Sequence, residues 1–155
     1  MLGRLRARLG YFTARKLMKS HRAVQQPKLW RWMEGQFARM AALGDVQAQS
    51  FYGHLLLFRG KGLGARQEGI RLLKLAAEAG EPKAAYQMGA ISLSEDATHG
   101  PDGVSAARWW ALAAKAGHPL AATRLAQLYR VGGHGLPADA EQARRYEARA
   151  EALGA

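Results

Sequence analysis

The chain contains residue types that could do chemistry, but their spacing does not gather them into a reactive set. His21, His54, His99, His118 and His134 include no i, i+4 pair and have no carboxylates at metal-ligand spacing. His118, between Gly117 and Pro119, reads as a corner residue. Glu95, Asp96 and Asp102 share one loop in which a cation could sit. They lack the recognised calcium-loop pattern, and solvated loop carboxylates are the commoner meaning. Gly60-Lys61-Gly62-Leu63-Gly64 is glycine-rich, yet a phosphate loop needs a longer spacing to Gly-Lys and a following Ser or Thr. No serine has the context of an activated nucleophile. The chain has no cysteine, which excludes a disulfide scaffold and thiolate chemistry. We therefore expect no enzyme, no metal and no cofactor.

Charge is the stronger signal. Of the formal +11, residues 1–40 hold +9, from ten Lys or Arg against Glu34 alone, and residues 41–155 hold +2. Arg4, Arg6, Arg8, Arg15 and Lys16 lead this basic segment, followed by Lys19, Arg22 and Lys28, while Leu2, Leu5, Leu9 and Phe12 fall on one side of a helix. Such a segment suits an anionic membrane surface, a nucleic acid or an acidic protein, with a solvated basic face as the plain alternative. The helix pattern is imperfect. Arg6 and Lys16 edge onto the apolar stripe, and Gly3 and Gly10 each cost a helix roughly 1 kcal/mol. The segment lacks the apolar core and cleavage site of a secretory signal, and no run approaches the length of a membrane span. We expect a cytoplasmic protein, bacterial, with peripheral attachment to the inner membrane as the variant that the basic segment would allow.

The elements that must position all these residues repeat. Ala-Xaa-Xaa-Gly recurs at Gly44, Gly80, Gly117 and Gly154, at spacings of 36, 37 and 37 residues, a period that marks stacked helix pairs. Ala106, Trp109, Trp110, Ala113, Ala114 and Gly117 form one helical stripe, and Gly69, Leu72, Leu73, Ala76, Ala77 and Gly80 repeat its spacing. Each terminal glycine suits the left-handed end of a helix. Asp45, Pro82 and Pro119 then restart the chain, and Asp102 and Asp139 are expected caps for two second helices. Pro27 to Leu43 forms a further helix, with Leu29, Trp30, Met33, Phe37 and Met40 at helical spacing. Trp30 and Trp32 cannot share one core line.

These residues resemble the Sel-one-like repeats, relatives of the tetratricopeptide repeats. Ala121, Leu125, Tyr129, Gly132, Gly135, Leu136, Asp139, Ala143, Tyr146, Ala150 and Gly154 follow the family pattern, apart from a loop one residue longer. The preceding unit keeps Ala106, Trp109, Ala113, Ala114 and Gly117 but has Ser92 in place of Tyr, and the first unit has Leu72 in place of Trp. The expected fold is an all-α, right-handed α-solenoid of antiparallel helix pairs. Its repeats would span 45–80, 81–117 and 118–154, behind a basic extension at 1–26 and a capping half-repeat at 27–44.

The resemblance implies a non-catalytic scaffold for a protein partner, bound on a concave face lined by the first helix of each pair. Gln49, Tyr52, Tyr86, Gln87, Gln127 and Arg130 are the contact candidates on those helices. Trp109 reads as core. Trp110, with Arg108 close by, has the composition of an interface and joins the contact candidates, although packing between repeats is the commoner role for such a residue.

Overall fold

Each repeat boundary is made by a glycine that ends one helix and a side chain that starts the next. Gly44, Gly80, Gly117 and Gly154 have φ of 83°, 91°, 94° and 84°, a region costly for residues with a Cβ. Asp45 Oδ1 then accepts the Ala48 N–H at 2.8 Å, Glu81 Oε2 accepts that of Ala84 at 2.7 Å, and His118 Nδ1 accepts that of Ala121 at 3.2 Å. Pro82 and Pro119 occupy first-turn positions, where no intrahelical donor is needed.

The computed structural model describes residues 2–95 and 99–155. Among these the helices are α1 (Leu2–Leu17), α2 (His21–Gln25), α3 (Pro27–Ala42), α4 (Val46–Arg59), α5 (Gly62–Glu78), α6 (Pro82–Ser92), α7 (Gly103–Lys115), α8 (Pro119–Val131) and α9 (Ala140–Ala152). The fold is all-α. The glycine-rich stretch after α4 is shorter than a five-residue loop, because α5 already begins at Gly62. Gly60 is required there by close approach: a Cβ on it would run into the Leu56 carbonyl and the Ala65 side chain. The chain divides into two compact units, one through Leu72 and one from Leu73 to Ala155.

In the first unit, Ala7, Tyr11 and Ala14 of α1 are buried with Met33, Phe37, Met40 and Ala41 of α3. Gly10 lets the helices close, since a Cβ there would overlap the Gln36 side chain. Rings meet edge to face in this core, Tyr11–Phe37 at 6.0 Å and Phe37–Phe51 at 5.0 Å. The Tyr11 hydroxyl is buried and has no hydrogen-bond partner among the described residues. Trp30 is half-buried against the cluster, whereas Trp32 is 43% exposed.

The second unit packs on alanine: Ala84, Ala85, Ala106, Ala113, Ala114, Ala121, Ala122 and Ala126 are buried. Small residues bring backbones close, and Gly89 leaves room for the Trp110 indole, which a Cβ would overlap. The loops before α7 and α9 are held alike. Asp102 N–H donates to the Ser92 carbonyl and Asp139 N–H to the Tyr129 carbonyl, each at 2.7 Å. Both bonds use the backbone carbonyl, so this one does not depend on whether the side chain is Ser92 or Tyr129. Asp102 and Asp139 also cap α7 and α9 with their carboxylates. Gly133 and Leu136 pair across a two-residue turn in which His134 and Gly135 have φ of 51° and 85°, and the His134 carbonyl accepts the Gly103 N–H at 2.8 Å.

Candidate interaction surfaces

The first-helix candidates are largely engaged within the chain. Gln49 Nε2 donates to the Ala41 carbonyl at 3.3 Å. Tyr52 O–H donates to Glu34 Oε1 at 3.4 Å, and burial, with the Glu34 and Glu68 carboxylates adding to it, pushes its phenol up to about 12. Tyr86 is half-buried, stacked on His118 at 4.7 Å and on Trp110 at 6.4 Å. Gln87 is half-buried on the same helix. Burial holds the His118 imidazole below its ordinary pKa, against the opposing pull of the Glu81 carboxylate.

Trp110 is corrected from contact residue to core. It is 5% exposed, and its indole N–H donates to the Tyr86 carbonyl at 3.1 Å. A side chain held on both its apolar and polar edges has no face left for a partner. Trp109 is equally buried, with the Arg108 guanidinium 5.0 Å from its ring centre.

Gln127 and Arg130 are exposed and line a shallow depression between α8 and α9 with Glu147 and Glu151. Arg130 is ion-paired with Glu147. In the first unit, Arg4, Arg6, Arg8, Arg15 and Lys16 are all exposed on α1. The Arg15 guanidinium lies 4.6 Å over the Phe51 ring. Of the acidic loop, Asp102 is occupied as a helix cap and Asp96 lies outside the described residues. No three His, Asp or Glu side chains converge at metal-binding distance among the described residues.

One surface feature of the second unit was not evident from the sequence. Arg108, Ala111, Leu112 and Lys115 on α7 face Arg145, Tyr146 and Arg149 on α9 across a groove of about 890 Å³. Two helical stripes build it, i, i+3, i+4, i+7 on α7 and i, i+1, i+4 on α9. Arg149 is fixed there: its Nε and Nη2 each lie 3.2 Å from the Ala114 carbonyl, so the guanidinium closes the C-terminal end of α7. Tyr146 is fixed by stacking on Tyr129 at 6.0 Å. Arg108, Lys115 and Arg145 stand around an apolar floor that includes Leu112, 40% exposed, with the Arg145 guanidinium 5.9 Å from the Tyr146 ring centre. No acidic side chain among the described residues lines the groove. Such a surface can take an anion-bearing segment that also offers apolar side chains.

A family model described as Sel1 repeat matches residues 46–81, 82–118 and 119–154. Among solved structures, the crystal structure of a Sel1 repeat protein from Oxalobacter formigenes is similar, at 29% identity and a TM-score of 0.63, over 86% of this chain and 95% of that one. A second is c5321, a protective antigen present in uropathogenic Escherichia coli strains displaying an SLR fold, at 24% identity and a TM-score of 0.65. The match covers 79% of this chain but only 26% of that protein, and it speaks to fold alone. No curated protein sequence matches the chain.

Proposed function

Because the chain belongs to the Sel1 repeat family, whose members are generally protein-interaction scaffolds, we propose that it is a non-catalytic adaptor that holds an acidic, partly apolar segment of a partner protein in the α7–α9 groove. The observation that carries this reading is the pairing of three exposed cations, Arg108, Lys115 and Arg145, with an apolar floor on two helices of one unit. Rim cations steer and orient an acidic partner, and the floor supplies the desolvated contact from which most affinity comes. The sites on α4 and α6 support binding less well, because Gln49, Tyr52 and Tyr86 already serve internal contacts.

Photo-crosslinking tests the location. A benzoylphenylalanine introduced at Leu112, or separately at Gln127, is irradiated with a peptide of alternating Glu and Leu. The reading expects cross-links from Leu112 and few from Gln127. Equal yields, or cross-links from Gln127 alone, would overturn it.

A further inference from the structure

The apolar stripe of α1 is not the face that docks. Ala7, Tyr11 and Ala14 are buried against the rest of the first unit, while Leu2, Leu5, Leu9 and Phe12 are 81%, 61%, 62% and 65% exposed. At about 100° per residue these two sets occupy opposite sides of the helix. Single exposed leucines need no explanation, but four large apolar side chains on one continuous stripe do.

Cations frame the stripe. Arg4, Arg8 and Arg15 fall along one flank, Arg6 along the other, and Lys16 at its C-terminal end, and α1 has no acidic residue. Depressions on the same surface are basic as well. One of about 410 Å³ is lined by Arg4, Leu5 and Arg8 together with the α3–α4 corner, where the Asp45 carboxylate is taken as a cap. Another, of about 590 Å³, is lined by Phe12, Arg15, Lys16 and Lys19 with Phe51.

We propose that the outer face of α1 is a docking surface for an anionic lipid bilayer, with Leu2, Leu5, Leu9 and Phe12 entering the acyl boundary and the flanking arginines at the phosphates. Two alternative occupants satisfy only half of this surface. A second copy applied through the same face would set arginine against arginine. A nucleic acid would meet the cations and leave the leucines in water. A lipid surface takes both, as interfacial helices with apolar centres and Lys/Arg flanks do. The helix is already ordered by its inner face, so binding carries no cost of folding it. No helix of the described residues is long and apolar enough to cross a membrane, which leaves surface attachment as the mode. This inference is independent of the α7–α9 groove.

The test is co-sedimentation of the full chain with vesicles of phosphatidylcholine, with or without about one-third phosphatidylglycerol. The parent is compared with Leu5→Ser/Leu9→Ser/Phe12→Ser and with Arg4→Gln/Arg6→Gln/Arg8→Gln. Every substituted side chain is exposed, and melting curves check that both variants stay folded. The expected result is binding only to the anionic vesicles, weakened at least about tenfold in each variant and reduced by salt. Glycerol phosphate should not compete, since it lacks the acyl boundary.

The chain has no cysteine, so a polarity-sensitive dye on Leu9→Cys reports immersion directly. Its emission should shift to the blue on anionic vesicles, with no shift from Arg124→Cys on α8. The proposal is overturned if the parent does not bind anionic vesicles or if the serine variant binds as the parent does. A preference for duplex DNA that ignores the serine substitutions, or a dimer dispersed by them, would also overturn it.

Discussion

Through Leu72 the chain carries fourteen Lys or Arg against three Asp or Glu, and from Leu73 onward nine against nine. The whole formal charge of +11 therefore belongs to the first unit. Its core is aromatic and sulfur-rich, built from Tyr11, Phe37, Met33 and Met40, whereas the second unit packs alanine on alanine around two tryptophans. The second unit is neutral but not uniform. Among its described acids, Glu81, Asp102 and Asp139 sit at caps and Glu147 and Glu151 beside α8, and none lines the α7–α9 groove. Net charge thus says little about where an anion would bind. The placement of acids decides it.

The largest effect expected in this contrast is from Trp110→Ala. Small neighbours cannot fill the space left by an indole, so the loss should be about 3–5 kcal/mol, read from denaturant melts. A cost under about 1 kcal/mol would mean that the alanine packing holds without the ring.

Next come the repeat corners. Gly117→Val forces a β-branched residue to a φ of 94° and should cost at least about 1–2 kcal/mol. Gly62 is not a suitable control, because it too has a φ of 83°. Gly64 has ordinary φ and open space where a Cβ would go, and Gly64→Val should be close to neutral.

His118 makes the second unit sensitive to acid. Its neutral Nδ1 accepts the Ala121 N–H, and burial depresses its pKa below that of the unfolded chain. The unfolded chain then binds the proton first, so the contribution is complete above the ordinary pKa of 6.5 and is lost as pH falls below it. Melting temperature should drop between neutral pH and about pH 5, and His118→Asn should flatten that drop while keeping the cap. An unchanged slope in the variant would assign the acid sensitivity elsewhere. The smallest effect belongs to the first unit. Tyr11→Phe removes a buried hydroxyl that has no partner among the described residues, and should leave stability unchanged or raise it by up to about 1 kcal/mol.

Much of the fold was legible in the sequence because close helix packing demands small residues at fixed intervals and glycine at left-handed corners. Gly44, Gly80, Gly117 and Gly154, with caps at Asp45, Asp102 and Asp139, are readable on those grounds. The orientation of α1 was not. Its larger apolar side chains suggest a core face, but the docked face is the small one around Gly10, where a Cβ would displace the end of the Gln36 side chain. That choice depends on the shape of α3, which composition does not reveal. Trp110 was ambiguous for a similar reason, since Gly89 makes its pocket from 21 residues away. The groove escaped notice because Arg108, Lys115 and Arg145 read as solvated cations until α7 and α9 are set side by side.

The most direct measurement compares affinity for the Glu-Leu peptide, by fluorescence anisotropy, in two variants of equal charge. Arg108→Gln/Lys115→Gln/Arg145→Gln and Arg4→Gln/Arg6→Gln/Arg8→Gln each remove three positive charges. If the groove is the protein-binding site, the first should weaken binding at least about tenfold and the second by no more than about twofold. Equal losses would mean that the peptide senses only net charge, and a loss confined to the α1 variant would move the binding site off the groove.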